Sequence, residues 1–380
     1  MSLFIEFHLI QNFAPSNLNR DDTGAPKDAL FGGYRRARVS SQCFKRAIRL
    51  AAYDQALIEK RFQSVRTKKL KELLEEALAK HERTEAAVRI EVALSAAGLK
   101  LKEDGKTEYL LFLGNSEIDS FAELIDRYWD ELGNAVPTGE KKGKKESKAN
   151  APAEVIKKAK ALLNGGKAVD VALFGRMLAD LPEVNQDAAC QVAHAISTHR
   201  VEREFDYFTA VDDIGGPDET GAGMIGQVEF NSATFYRYAV IDARKLLANL
   251  QGDKTLTLTA IEAFAQAMAR AVPTGKQNTF AAHNLPSFVG VSLRHGGPLS
   301  LANAFEKPVW PRQEQALTSL SVEVMAAHEA ELAVAYADDR DRWGYLDLTG
   351  SWPKGKGTTL ASLNALAAWV KQQAEEQLEN

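Results

Sequence analysis

The chain has 380 residues, 45% hydrophobic and 26% charged, with a formal net charge of −4. That length can bury a large core. Two cysteines, Cys43 and Cys190, exclude a disulfide framework or a Cys-rich metal site. No apolar run approaches the roughly 20 residues a spanning helix needs, and no cationic and apolar leader opens the chain, so it reads as cytoplasmic.

Residues Phe4 to Ile10 alternate, placing Ile5, Phe7 and Leu9 on one face, the period of a half-buried strand. A loop rich in Asn, Gly and Pro follows, then an extended piece from Tyr34 to Val39. Between Arg20 and Arg49 the acidic chain reverses sign: Arg20, Lys27, Arg35, Arg36, Arg38, Lys45, Arg46 and Arg49 face only Asp21, Asp22 and Asp28. Everywhere else 39 basic residues meet 48 acidic ones. Cations concentrated on one segment of an otherwise acidic chain suit a polyanion, because they neutralise phosphates and release condensed counterions.

The chain then reads as mostly helical to His199, with segments near 41–61, 65–82, 118–132, 153–164, 168–180 and 187–199. Ser40 is expected to cap the first of these with its hydroxyl. On that helix Gln42, Lys45, Arg46 and Arg49 fall at i, i+3, i+4 and i+7, opposite Phe44, Ala47 and Ile48. One face packs and the other presents three cations and an amide. The Lys-rich stretch within 138–152 is low in complexity and is expected to be disordered.

From Asp206 the pattern turns extended, passes through a glycine-rich run to Gly226, and returns through Gln227 to the strand Phe235–Ile241. Two extended arms around a glycine-rich tip indicate a β-hairpin. Helices near 243–250 and 257–271, a strand near 287–294, a helix near 312–336, a strand near 345–349 and a terminal helix near 358–378 complete an α+β pattern. Phe208, on an arm, suits either a core aromatic or a platform on which a base stacks; Met177, on a helix, suits packing.

Several ordered blocks make the sequence recognisable. They are Ser16-Asn17-Leu18-Asn19-Arg20-Asp21-Asp22, Pro26-Lys27-Asp28-Ala29-Leu30-Phe31-Gly32-Gly33, Arg38-Val39-Ser40-Ser41-Gln42, Gly175-Arg176-Met177, Phe208-Thr209-Ala210-Val211-Asp212-Asp213 and Gly275-Lys276-Gln277-Asn278-Thr279-Phe280. Together they resemble the CasC family, the backbone subunit of the type I-E CRISPR surveillance complex Cascade. The resemblance implies an α+β fold with an RRM-like (ferredoxin-like) palm from 1–40 and 230–380, a large helical insertion at 41–200 and a projecting β-hairpin thumb at 203–230. It also implies a non-catalytic scaffold without a cofactor. The implied partners are CRISPR RNA, further copies of the chain in a filament, the other Cascade subunits and, through the guide, target DNA. Carried over by position, Arg20, Lys27, Ser40, Gln42, Lys45, Arg46 and Arg49 become palm contacts to RNA. Met177, Phe208 and Thr209 become the group that interrupts base stacking.

Three rival readings follow from particular residues. Asp21 and Asp22 raise a metal-dependent ribonuclease, because related type III backbone subunits cut RNA with a loop aspartate; here the two acids are expected to order the loop by pairing with Arg20 or Lys27. The run Gly350–Thr358 imitates a phosphate loop, although Gly357 stands where Ser or Thr should hold magnesium. A solitary duplex binder is the third. His194 and His199 are expected to be packing or helix-terminal residues rather than metal ligands.

Overall fold

The computed structural model describes residues 2–135, 151–163, 166–178, 181–210, 222–336 and 338–379. The Lys-rich stretch expected to be disordered and most of the glycine-rich hairpin tip lie outside the described residues. The chain divides into two units, one made of 1–55, 190–244 and 258–380, the other of 56–189 and 245–257.

The first unit is built on a long sheet. Strand β1 (Phe4–Ser16) lies at its centre, antiparallel to Phe288–Arg294 on one side and to the 21-residue strand Ala222–Asp242 on the other. Register places Phe7 beside Ala239 and Val291. The sheet continues through Ala195–Ser197 to β3 (Tyr34–Val39) and ends at β2 (Asp28–Phe31). At the opposite edge Arg342–Asp347 is followed by Thr358–Thr359, the one parallel pairing described. Near-continuous burial along β1 reflects helices on both faces. On one, Phe7 meets Phe264 with ring centroids 5.0 Å apart, and the helix α1 (Ser41–Asp54) lays Phe44 over the buried Arg237 guanidinium at 4.0 Å. On the other, the helix Leu317–Tyr336 buries Leu320, Val322 and Met325 against Ile10, Tyr236 and Phe288.

Beneath that second face lies a buried polar network. The Glu6 carboxylate accepts from Tyr238 Oη at 2.7 Å, Ser292 Oγ at 2.7 Å, Arg294 Nε at 2.6 Å and the Leu299 amide. Burial pushes the Glu6 carboxyl up, but His8, its Nε2 3.7 Å from the carboxylate, together with Tyr238 and the Leu299 amide, outweighs it and holds it at about 2.

The second unit is a helical cluster. Its core joins Leu74, Ile90, Leu94, Phe121, Ile125 and Val155, and a short strand pair, Ser64–Thr67 with Leu111–Gly114, accompanies the helices.

The secondary structure departs from the sequence reading in several places, of which four bear on the site. The helix expected at 187–199 is two short strands, Cys190–Val192 and Ala195–Ser197, each paired with the strand Ala222–Asp242. Cys190 and Val192 are buried around an exposed Gln191, so a period of two was present in a window read as helical. α1 stops at Asp54, and Ala56 adopts φ 50°. The helix expected from 65 starts only at Leu70, after strand Ser64–Thr67. The segment 168–180 is helical only over Val169–Phe174, ending where Gly175 takes φ 78°.

Candidate nucleic-acid interface

The basic loop between β1 and β2 is held by backbone and amide groups, which leaves its cations for other work. Asn17 donates from Nδ2 to Gly24 O at 3.0 Å and Glu229 O at 2.9 Å. Asn19 accepts the Ser40 amide on Oδ1 at 2.9 Å, and its carbonyl accepts the Lys27 amide at 2.9 Å. Asp21 accepts on Oδ1 from the Thr23 amide, the Thr23 hydroxyl and the Ala25 amide at 2.7–3.0 Å. Thr23, above all, holds its carboxyl below the usual range. The pairing of Asp21 with Arg20 or Lys27 expected from sequence is not what orders the loop. Arg20 is exposed and Lys27 partly so, and neither has an ion-pair partner among the described residues.

α1 supplies the rest of the surface. Phe44, Ala47 and Ile48 are buried, worth about 1.5–3 kcal/mol for each large side chain, which turns the opposite stripe outward. Gln42 and Arg46 are exposed; Lys45 and Arg49 are half-buried, with Arg49 5.8 Å from the centre of the Tyr53 ring. Ser40 corrects one expectation. It begins the helix with extended backbone, but its side chain makes no cap bond; the hydroxyl is enclosed, without a partner among the described residues, on a residue 1% exposed. Asn19 has taken the amide that fixes this corner instead.

Not every cation of the segment faces solvent. Arg36 is fully buried: Nη1 donates to Ser197 O at 3.0 Å and Nη2 to Phe305 O at 2.8 Å and Glu306 O at 3.2 Å. Arg35 and Arg203 share the Asp28 carboxylate. Arg38 donates to Asp28 O at 3.0 Å and lies 3.1 Å from His194 Nδ1. Arginine can only donate, so that ring nitrogen accepts; burial, then Arg38 and Lys27, depress protonation of His194. The imidazole is exposed beside the basic loop, on no helix. His199 is also off any helix, with Nδ1 2.7 Å from Arg200 O and Nε2 accepting the Thr234 amide at 3.1 Å.

The hairpin pairs Glu204–Ala210 with the first part of Ala222–Asp242. Phe208 stands opposite Gly226 and is 46% exposed. Thr209 is exposed on the other face, which also carries Tyr207 at 70% exposure, an aromatic the sequence reading did not single out. Alternation alone would have revealed it, since 205, 207 and 209 share a face.

Met177 belongs to the second unit. It is 84% exposed, so the packing role that a helical Met suggests is corrected. The preceding residues explain why. A Cβ on Gly175 would lie 2.9 Å from the Ala188 amide nitrogen and Gln186 O. Arg176 is buried with Nη1 3.0 Å from both Glu117 oxygens, and it also donates to Val184 O at 3.3 Å and Leu163 O. Leu178 turns inward, its amide bound to Asn185 Oδ1 at 2.6 Å. Both neighbours are fixed inward and Met177 is left outside.

The phosphate-loop imitation is a structural turn. Asp347 accepts from Thr349 and Trp352, Trp352 is buried among Phe288, Trp343 and Tyr345, and Lys356 pairs with buried Glu329. Among the described residues no three His, Cys, Asp or Glu side chains are grouped as a metal site, and no helix is long and apolar enough to cross a membrane.

A family profile described as CT1975-like protein matches residues 5–372. The chain belongs to the CT1975-like protein family. Its structure is similar to a chain of a "CRISPR RNA-guided surveillance complex, pre-nicking", at 31% identity and a TM-score of 0.81, covering 98% of this chain and 100% of that one. A chain of a "CRISPR RNA-guided surveillance complex" is similar at 27% identity and a TM-score of 0.72, covering 97% and 99%. A search of curated proteins gives no match. Family and structures agree with the CasC resemblance carried by the motifs of this CT1975-like chain.

Proposed function

We propose that this chain is a non-catalytic RNA-binding scaffold that oligomerises along CRISPR RNA in a Cascade-type surveillance complex and presents the guide to target DNA. The first unit acts as an RRM-like palm, the hairpin as a thumb and the helical unit as an insertion. The single observation that carries this reading is the surface made by the loop 17–27 and α1. Arg20, Lys27, Gln42, Lys45, Arg46 and Arg49 line it, and two of the three acids of the same segment are engaged elsewhere, Asp21 in the loop backbone and Asp28 with Arg35 and Arg203, leaving Asp22 as the one exposed acid among them. Such a surface holds phosphates without reading bases, as a scaffold for any guide must. Ser40 shapes this corner through its amide rather than touching RNA with its hydroxyl. Phe208 and Met177, exposed apolar side chains fixed by their neighbours, suit groups that interrupt stacking.

Purification from cells carrying a CRISPR array tests this. The reading expects bound RNA of uniform length with repeat-derived ends; RNA of random length and origin would refute it. The nuclease alternative expects complementary RNA to be cut in Mg²⁺ and the cutting to be lost in Asp22→Ala.

A further inference from the structure

The backbone of the block Gly275–Phe280 is seated on the basic loop. A Cβ on Gly275 would lie 2.3 Å from Leu18 O and 2.8 Å from Asn17 O, so this position tolerates only glycine. The same Leu18 carbonyl lies 4.0 Å from Cys43 Sγ on α1. Residue 276 is therefore one step from the junction of loop and helix that carries Arg20, Lys27 and Arg46.

The turn itself is rigid and strained. Lys276 and Ala281 both adopt left-handed backbone, at φ 50° and 47°, around a single helical turn Gln277–Phe280. Side chains with a Cβ enter that region at a cost that persists where something else over-determines the conformation, commonly a functional site. Gln277 staples the turn, donating from Nε2 to Pro273 O at 2.9 Å and lying 3.4 Å from Ala282 O. Phe280 packs on Phe230 of the hairpin strand, ring centroids 5.6 Å apart. Phe230 shares the face of that hairpin occupied by Phe208. Between these anchors Asn278 and Thr279 are exposed, and Lys276 has no ion pair or side-chain hydrogen bond among the described residues.

We propose that the turn 274–280 is a second phosphate-contact element, in which the Lys276 ammonium binds the backbone of single-stranded RNA between the basic loop and the hairpin, with Asn278 and Thr279 as flanking donors. The left-handed backbone at 276 is what aims the amine. The inference rests on the RNA-scaffold reading and adds to it a residue outside the basic segment.

The test measures anisotropy of a labelled single-stranded RNA of mixed sequence with the purified full chain, its Arg46→Ala, Lys276→Asn and Lys276→Arg variants, over a salt series. Asn tolerates the left-handed region, so Lys276→Asn should keep the parent's thermal midpoint. The inference expects Lys276→Asn to shallow the log-log salt slope by about 0.7, which is about fourfold weaker binding at 0.15 M salt with the gap closing towards 1 M. Lys276→Arg should bind as the parent does. Parental binding by Lys276→Asn beside weakened Arg46→Ala would overturn this inference alone. A gap that does not close with salt would also overturn it. Parental binding by both variants would overturn the RNA-scaffold reading and this inference with it.

Discussion

The Phe208 ring occupies the space that a side chain at residue 226 would need: a Cβ on Gly226 would lie 2.2 Å from Phe208 Cζ. The glycine is thus a seat for the ring, and the ring's exposed face is the one left for a base. Phe208→Ala should weaken assembly on RNA by about 1–3 kcal/mol per stacked base. Gly226→Val should produce the same defect with Phe208 intact, by lifting the ring from its seat. Binding and complex formation by both variants at parental levels would remove Phe208 from the RNA site.

On the basic surface, Lys45→Ala combined with Arg49→Ala should weaken binding about equally for all guide sequences. Loss of two phosphate contacts should shallow the salt slope by about 1.4 in all. A sequence-dependent loss at unchanged slope would mean that these residues read bases or act only through packing.

The Glu117–Arg176 pair separates structure from function around Met177. Burial, above all, holds the Glu117 carboxyl above its ordinary range, although Arg176 and the amides of Gly114 and Gly166 pull it back. Glu117→Ala would strand a buried guanidinium and should cost about 3–5 kcal/mol in unfolding experiments. Met177→Ala should change stability by no more than about 0.5 kcal/mol, while disturbing the spacing of displaced bases in chemical probing of the bound RNA. A Met177→Ala variant that unfolds early would return the side chain to a packing role.

Acid should find Glu6. Its folded value of about 2 lies below the ordinary 4.5, so the stability it contributes is complete above the unfolded value and is lost as pH falls from about 4.5 towards 2. The shift corresponds to about 3 kcal/mol. Glu6→Gln should lower stability at neutral pH and flatten that stretch of the profile. An unchanged acid limb in the variant would show that other carboxylates govern it.

How far the sequence speaks can be judged from the cations themselves. The stripe Gln42, Lys45, Arg46 and Arg49 was legible because helical period and burial of Phe44 and Ile48 are local properties. Arg36 was not, since the carbonyls that bury it come from 161 to 270 residues away. Ser40 misled for a related reason: its cap role depends on where Asn19, 21 residues upstream, puts its side chain. Met177 suited packing because a Met on a helix usually fills gaps, and only the end of the helix at Phe174 and the inward pull on Arg176 and Leu178 show otherwise. The segment 187–199 carried both periods, and pairing with a distant strand decided between them.

The amides that hold the loop, those of Asn17 and Asn19, and the cations that line it belong to separate sets of residues. The affinity of this surface is consequently adjustable. Exchanging Arg20, Lys27 or Arg46 among Lys, Arg and Gln changes the grip on a polyanion while leaving the frame intact, so an engineer could weaken or tighten the hold in steps. Gly275 and Asn17 allow no such freedom, because the first sits against the loop backbone with no room for a side chain and the second holds two backbone carbonyls with its own amide.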